Sequence, residues 1–207
     1  MKRSFDLILV ALSAPLWAPL LGLIAMLVRI KLGKPVLFRQ ARPGLGAQPF
    51  ELLKFRTMTE ARDATGNFLP NTQRSTPFGC WLRSASLDEL PELLNVLRSE
   101  MSLVGPRPLL MHYLPRYTPE QARRHEAKPG ITGWAQVNGR NTISWEDKFR
   151  LDVWYVEHQS IWLDFRILWM TVRRVLFRHG INQAGIIGAP EFMGIEVRGQ
   201  KSEVRSQ

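Results

Sequence analysis

The chain contains a single cysteine, Cys80, among 207 residues. It therefore cannot form an intrachain disulfide, and it cannot build a zinc ribbon or zinc finger, which need several cysteines. Its four histidines show no close metal-ligand spacing; they are His112, His125, His158 and His179. These absences exclude the common small folds that a disulfide or zinc stabilises, and they fit a cytosolic location.

The usual nucleotide-binding motifs are also missing. No segment matches the phosphate loop G-x-x-x-x-G-K-[ST], and Gly44-Leu-Gly46 is followed by Pro49 rather than by the third glycine of a dinucleotide fingerprint. Asp-x-Asp does not occur, which argues against a glycosyltransferase that holds its metal and sugar nucleotide through that motif. The length supports one domain, with room for a membrane anchor.

One segment is long and uncharged, the 22 residues from Leu7 to Val28. About 20 apolar residues suffice to cross a bilayer. However, Pro15 and Pro19 lie near its centre, and each removes a backbone N–H and clashes with the carbonyl four residues earlier. Lys2 and Arg3 precede the segment, and the basic residues that follow it are Arg29, Lys31, Lys34, Arg39 and Arg42. Because positive flanks favour the cytoplasm, the segment is predicted to enter the membrane, break at the prolines and return.

Three other interpretations of this segment stay open. The first is an ordinary transmembrane helix with a proline kink, since prolines are common in such helices. The second is a cleaved signal peptide, which the length of the apolar run and Asp6 at its start disfavour. The third is a buried helix of a soluble protein.

The net charge of +10 indicates an anionic partner. Nucleic acid, anionic lipid and phosphorylated substrates all qualify, and composition does not choose among them. A helix predicted over 161–178 combines apolar residues such as Trp162 and Trp169 with arginines such as Arg166 and Arg178. It suits the plane of an anionic membrane, or equally a core helix with a solvated basic face.

Ser86-Leu-Asp88-Glu89 precedes a leucine-rich helical pattern. Ser86 and Glu89 match a helix capping box, which would make the acidic pair structural. Pro91 weakens that interpretation, because inside a helix it would leave a carbonyl unpaired. Adjacent carboxylates also allow a nucleophile and a Mg²⁺ ligand at one site, and four cations predicted on turns or element ends would suit phosphate groups. These cations are Lys54, Arg56, Arg83 and Arg107.

These segments together resemble the small monotopic phosphoglycosyl transferases, the bacterial sugar transferase family. The matching motifs include Gln40-Ala-Arg-Pro-Gly44, Lys54-Phe-Arg-Thr-Met58, Arg83-Ser-Ala-Ser-Leu-Asp-Glu89, Met101-Ser-Leu-Val-Gly-Pro-Arg-Pro108 and Pro129-Gly-Ile-Thr-Gly-Trp-Ala-Gln-Val-Asn-Gly-Arg140. They run in family order from residue 2 to about residue 194. Each motif alone is weak, but the set is highly specific.

The resemblance implies a mostly helical α+β fold, with a re-entrant membrane helix over 1–33, a cytosolic catalytic domain with interfacial helices over 34–194, and a polar tail over 195–207. Asp88 matches the nucleophile, Glu89 the Mg²⁺ ligand, and Lys54 and Arg107 match phosphate contacts. Where the family has a Ser-Pro break, this chain has Ala18-Pro19.

The reaction that the resemblance implies is transfer of a phospho-sugar from a UDP-sugar to undecaprenyl phosphate at the cytosolic face of the bacterial inner membrane. UMP is released, and no nucleic acid takes part. An N-acetylated sugar is expected. Two alternatives remain, a membrane-associated nucleic-acid-binding or scaffold protein, and direct transfer between the two substrates in a ternary complex.

Overall fold

The computed structural model describes residues 1–139, 143–176 and 191–194. The helices are α1 Lys2–Leu32, α2 Asn71–Arg74, α3 Pro77–Ser84, α4 Glu92–Leu97, α5 Pro119–Ala122, α6 Trp134–Asn138, α7 Trp145–Glu157 and α8 Ile161–Leu176. The strands are β1 Leu37–Pro43, β2 Pro49–Phe55, β3 Ser102–Val104 and β4 Gly130–Thr132. Short 3-10 turns cover Leu45–Ala47, Leu87–Glu89, Met111–Arg116 and Arg123–Glu126. The fold is mostly helical and of the α+β class, as predicted.

The first two strands form an antiparallel hairpin. Leu37 lies opposite Phe55 and Arg42 lies opposite Phe50 in the ladder. The connection turns at Gly46, whose φ of +60° is a backbone conformation that glycine adopts without a steric penalty. Leu52 and Phe55 bury one part of β2 in the core, and Lys54 between them is available to the site.

The other two strands form a short parallel pair at a place where the backbones approach very closely. A side chain at Gly105 would lie 2.2 Å from the carbonyl oxygen of Lys128, and one at Gly130 would lie 2.0 Å from the amide of Gly105. Only glycine fits at both positions. This contact fixes the start of the Gly105-Pro-Arg-Pro108 segment and so the position of Arg107.

The apolar N-terminal segment forms one long helix. The predicted break into two helices is not found, because the backbone stays helical from Lys2 to Leu32 with both prolines inside it. Side chains bond to carbonyls in the turns before Pro15: the Ser13 hydroxyl donates to Leu9 O at 2.7 Å, and the Trp17 indole donates to Val10 O at 3.0 Å. Neither acceptor is a carbonyl that the prolines leave without an amide donor, which are those of Ala11 and Pro15, so these bonds support the turns before Pro15 but do not replace the lost hydrogen bonds.

This helix is long and apolar enough to cross a membrane, and only 11% of its most apolar window is buried. The interpretation as a buried core helix is therefore wrong. Its exposed middle includes Leu12 and Leu16, which are 74% and 80% accessible. The two ends behave differently, since Val10 and Ile24 are each almost fully buried.

Both ends of α1 pack on the same domain. Val10 joins a cluster with Leu52, Val96 and Met101, whereas the later part of α1 joins Phe55 and Leu82 in a second cluster. Strand β2 contributes to both clusters.

Polar contacts fix the same two ends. Near the N-terminus, the Asp6 carboxylate accepts a hydrogen bond from Ser102 Oγ at 2.7 Å, and Lys2 forms an ion pair with buried Asp164. At the C-terminal end, the Arg56 guanidinium donates to the carbonyl of Leu32. The domain therefore holds the helix at both ends and leaves its centre uncovered.

Helices α6, α7 and α8 close the other side of the domain. Their core includes Val137, Tyr155 and Ile167, which pack with Val104 of β3. Helix α8 was predicted over 161–178 and is observed from Ile161 to Leu176. Arg178 and the predicted tail over 195–207 lie outside the described residues.

Candidate active site

Asp88 and Glu89 lie in the 3-10 turn Leu87–Glu89, which leads into α4. The turn begins at Ser86 in a left-handed conformation, with φ +56°, and its side chain makes no capping hydrogen bond. The capping-box interpretation is therefore wrong. Pro91 explains the short turn, because it occupies the N-cap of α4 and separates that helix from the acidic pair.

Glu89 joins Lys54 and Arg107 in one charged cluster. Its Oε1 accepts from Lys54 Nζ at 2.7 Å and from Arg107 Nη2 at 2.5 Å. Burial alone would raise the pKa of Glu89, but the charges of Arg107 and Lys54 outweigh it and hold that pKa well below its usual range. The pKa of Arg107 is raised in turn by the charge of Glu89. Three residues from distant parts of the sequence thus form one ionised cluster.

Asp88 is buried beside this cluster, with 9% of its surface accessible. Among the described residues it makes no ion pair within 4.0 Å, unlike Glu89. Burial and the neighbouring charge of Glu89 raise the pKa of Asp88 to about 6. Its carboxylate is therefore ionised at neutral pH but is not neutralised by a bonded cation, which leaves it available as a nucleophile.

Glu92 is a third carboxylate of the site and was not among the predicted site residues. It is 2% accessible and its Oε1 lies 3.0 Å from Lys54 Nζ. Burial, together with the charge of Glu89, raises the pKa of Glu92 to about 7. Its position three residues after Glu89 was the available signal, since such spacing brings side chains onto one face of a helix.

A buried ion pair between Arg124 and Asp152 holds the backbone of Arg107. Arg124 Nη2 donates to the carbonyl of Arg107 at 2.7 Å and to Asp152 Oδ2 of α7 at 2.7 Å. Arg124 and Asp152 are almost fully buried. With Pro106 and Pro108 limiting the backbone on either side, this contact fixes the direction of the Arg107 side chain.

The other two predicted phosphate ligands are placed differently. Arg56 is buried, and its guanidinium contacts the carbonyls of Leu32 and Lys34, the second at 3.1 Å. These contacts hold Arg56 at the end of α1, and it also pairs with Glu60 at 3.6 Å, so its binding of phosphate stays a prediction. Arg83 lies in the last turn of α3, which packs against the turn of Asp88, and it donates to Ser75 Oγ at 3.3 Å.

The residues present are compatible with Mg²⁺. No group of three or more metal-ligating side chains occurs among the described residues. Mg²⁺ does not need one, because it commonly binds one or two carboxylates together with substrate phosphates and water. Within the described part of the chain, Oε1 of Glu89 takes both hydrogen bonds and Oε2 takes none, so Oε2 can serve as a ligand.

The arrangement suits phosphoryl chemistry. It combines an uncompensated buried carboxylate, a second carboxylate that can hold a metal, and two fixed cations that can contact phosphate oxygens. Four of the predicted site residues, Asp88, Glu89, Lys54 and Arg107, come together in it, although their roles in a reaction remain predictions.

Comparisons with known proteins find related sugar transferases. The model of a family described as bacterial sugar transferase matches residues 1–178. The uncharacterized sugar transferase EpsL of Bacillus subtilis is 56% identical over 194 residues, covering 94% of this chain and 96% of that protein. A UDP-glucose:undecaprenyl-phosphate glucose-1-phosphate transferase of Caulobacter vibrioides is 43% identical, covering 84% of this chain and 69% of that protein. The Escherichia coli protein of the same name is 38% identical, covering 89% of this chain but only 41% of its own length.

Proposed function

Because the chain belongs to the bacterial sugar transferase family, we propose that it transfers a phospho-sugar from a UDP-sugar to undecaprenyl phosphate and releases UMP. The observation that carries this proposal is the buried carboxylate of Asp88 beside Glu89, which is bonded to Lys54 and Arg107. The names of the Caulobacter and Escherichia coli relatives make UDP-glucose the first donor to test, before N-acetylated sugars.

In the first step, a carboxylate oxygen of Asp88 attacks the phosphorus that carries the sugar. The bond from this phosphorus to the bridging oxygen of the diphosphate breaks, and UMP leaves with the electron pair. Asp88 then carries the phospho-sugar as an acyl phosphate. Its pKa of about 6 keeps the attacking group ionised at neutral pH.

In the second step, a phosphate oxygen of undecaprenyl phosphate attacks the same phosphorus. The bond to Asp88 breaks, its carboxylate is restored, and the product is undecaprenyl diphosphate-sugar. No water is consumed. Lys54 and Arg107 contact phosphate oxygens in both steps, and Arg124 keeps Arg107 in place through its carbonyl.

Glu89, with Oε2, is the residue that would hold Mg²⁺. When bound, the ion supplies positive charge that neutralises the diphosphate and its leaving group. Lys54 and Arg107 fix the orientation of Glu89 through its other oxygen. This is how surrounding hydrogen bonds set the geometry of a metal ligand.

The packing of α1 supports a re-entrant membrane segment. A spanning helix would place its ends on opposite sides of about 30 Å of hydrocarbon. Here, instead, Lys2 and Asp6 near one end and Leu32 at the other contact a single domain. The exposed middle of α1 is then the part that enters the bilayer.

Helix α8 supports a domain that rests on the membrane surface. Leu163 and Ile167 face the core, whereas Trp162, Phe165 and Trp169 are exposed, with 78%, 54% and 60% of their surfaces accessible. Tryptophan favours the headgroup level of a bilayer. Together with the basic flanks of α1, this supports a catalytic domain on the cytosolic face of the inner membrane, where it would meet the phosphate of undecaprenyl phosphate.

The test is the half-reaction without the lipid acceptor. With a UDP-sugar and Mg²⁺, intact-mass measurement should show one added phospho-sugar, and one UMP should be released per active site. Removing Mg²⁺ with a chelator should prevent both. Asp88→Asn should form no adduct and lose turnover, yet still bind the UDP-sugar, because an amide is a poor nucleophile.

Asp147→Asn, which changes an exposed carboxylate on α7, is the matched control and should react like the wild type. UMP release that requires both substrates, with no adduct in the wild type, would instead support direct transfer. No UMP release with any donor would refute the proposed activity.

A further inference from the structure

Arg42 lies in the same small cleft as the charged cluster. It belongs to β1, in the Gln40-Ala-Arg-Pro-Gly44 motif, and the sequence analysis placed it among the basic residues that flank α1 but gave it no role in the site. The cleft has a volume of about 60 Å³ and is lined by Arg42, Lys54, Arg107, Glu92 and the apolar residues Leu52 and Leu109, among others. Three cations therefore face one cavity.

Arg42 differs from the other two cations because, among the described residues, no carboxylate forms an ion pair with it, although Glu92 lines the same cleft and acts on its charge from a longer distance. Lys54 and Arg107 both bond to Glu89. Arg42 forms no ion pair among the described residues, and its contacts are neutral: Nη1 donates to Pro108 O at 3.2 Å and Nη2 to Gln40 Oε1 at 2.6 Å. Its Nε is buried and has no hydrogen-bond partner in the described structure.

A buried donor without a partner is costly, and so is a half-buried charge without a bonded counter-ion. Burial, and then repulsion from Arg107, lower the pKa of Arg42 to about 10, which still leaves it charged at neutral pH. An anion in the cleft would satisfy both groups at once. The planar guanidinium suits phosphate oxygens in particular, because it presents several N–H groups in one plane.

We propose that Arg42 is a third phosphate-binding residue of this cleft, completing a set with Lys54 and Arg107. The inference rests on the proposed function, because that function supplies the phosphate. Two substrates carry one, the UDP-sugar through its diphosphate and undecaprenyl phosphate through its terminal group. In both substrates, Arg42 would recognise the same chemical group, a phosphate.

The experiment compares Arg42→Gln and Arg42→Lys with Arg39→Gln. Arg39 is the matched control, since it lies on the same strand but its side chain is 62% exposed and pairs with Glu51 at the surface. The KM for each substrate and kcat are measured by UMP release. Loss of a hydrogen bond to a charged group raises KM about tenfold or more. A rise in the KM for UDP-sugar assigns Arg42 to the nucleotide, and a rise in the KM for undecaprenyl phosphate assigns it to the acceptor.

Arg42→Lys should recover part of the loss, because it keeps the charge without the planar fork. A structural role would instead lower the melting temperature and kcat while leaving both KM values within twofold of the wild type. That result would overturn the proposal.

A direct binding measurement separates this inference from the activity. The affinity of the purified protein for pyrophosphate is measured by calorimetry for the wild type, Arg42→Gln and Arg39→Gln. If the wild type releases no UMP but binds pyrophosphate in a manner that depends on Arg42, the proposed function fails and the anion site stands. Pyrophosphate binding that is equal in all three proteins, or absent in the wild type, would refute the anion site.

Discussion

Lys54 forms ion pairs with two carboxylates, Glu89 and Glu92, whose pKa values are shifted in opposite directions. Arg107 compensates the charge of Glu89, so Glu89 stays ionised, whereas Glu92 is buried with Lys54 as its only ion-pair partner among the described residues. Because the pKa of Glu92 is raised to about 7, its charge changes near neutral pH. Above that pH, the cleft gains a negative charge close to the place where we expect the phosphates to bind.

We predict that this charge shapes the pH profile of the first half-reaction. The rate should rise as Asp88 loses its proton near pH 6 and fall as Glu92 loses its proton near pH 7. Glu92→Gln should remove the falling limb, with a severalfold higher rate at pH 8, and keep the rising limb. The half-reaction without acceptor is the right assay, because the acceptor phosphate also titrates in this range. A falling limb that persists in Glu92→Gln would assign it to another group.

Glu92→Gln should also change how the stability of the protein depends on pH. The ordinary pKa of 4.5 lies below the value in the fold, so the unfolded chain releases the proton first. The free energy of unfolding of the wild type therefore falls as pH rises from about 4.5 to 7. Glu92→Gln should remove this contribution, and its melting temperature relative to the wild type should be higher at pH 8 than at pH 5.

At the level of residues, the sequence could identify Asp88, Glu89, Lys54 and Arg107 because they fall in specific motifs. Arg56 was assigned to the site on its charge and its closeness to Lys54 in sequence. Adjacent positions on a strand point to opposite faces, and positions two apart share a face, so spacing did not exclude it. The structure shows that its guanidinium is taken up by carbonyls at the end of α1. Charge alone could not reveal that competition.

Among the elements, α1 carries the sharpest prediction about topology. Single cysteines at Ser4 and Lys34, in a Cys80→Ser background, should both react with a membrane-impermeant reagent only from the cytosolic side, because both ends pack on one domain. Leu16→Cys is the reference position, since Leu16 lies in the exposed middle. It should resist polar reagents on either side. Labelling of position 4 or 34 from the periplasm would make α1 a true span.

Helix α8 presents two apolar faces, one to the core and one outward. An environment-sensitive fluorophore on Phe165→Cys, in the Cys80→Ser background, should shift its emission to the blue when the protein is placed in nanodiscs with anionic lipid. Arg150→Cys on α7 gives the solvent reference, because the Arg150 side chain is 77% exposed. Equal emission from positions 165 and 150 would show that the outward face of α8 is solvated.

Sequence patterns predicted some elements and missed others for clear reasons. The leucine-rich helical pattern after Glu89 forms only the short helix α4, Glu92–Leu97, because Pro91 delays its start. The region 59–80 has a polar composition with Gly, Pro, Asn and Thr that is typical of a loop, yet it contains α2 and the start of α3. Helix α3 packs so closely that a side chain at Gly79 would lie 1.8 Å from the carbonyl oxygen of Thr57. Such tertiary contacts override weak local preference.

For the molecule as a whole, the charge of +10 now has a consistent explanation. The basic residues that flank α1 and those of α8 suit an anionic lipid surface, and the cations of the cleft suit phosphates. The family match removes the need for a nucleic-acid partner, which only the charge had suggested. The aligned region covers 96% of the Bacillus relative but only 41% of the Escherichia coli relative. The described site therefore lies in the region that relatives of different length share.

The contacts at the start of α1 have a consequence for the order of events during synthesis. Lys2 pairs with Asp164, 162 positions later, and Asp6 bonds to Ser102, 96 positions later. At about 5–20 residues per second, Asp164 is made roughly 8–32 s after Lys2. If the apolar segment inserts during synthesis, it therefore meets the bilayer before the domain that will hold it exists. With the re-entrant topology proposed above, its entry and return would depend on its own prolines and basic flanks, and the domain would later fix a geometry that the lipid has already selected.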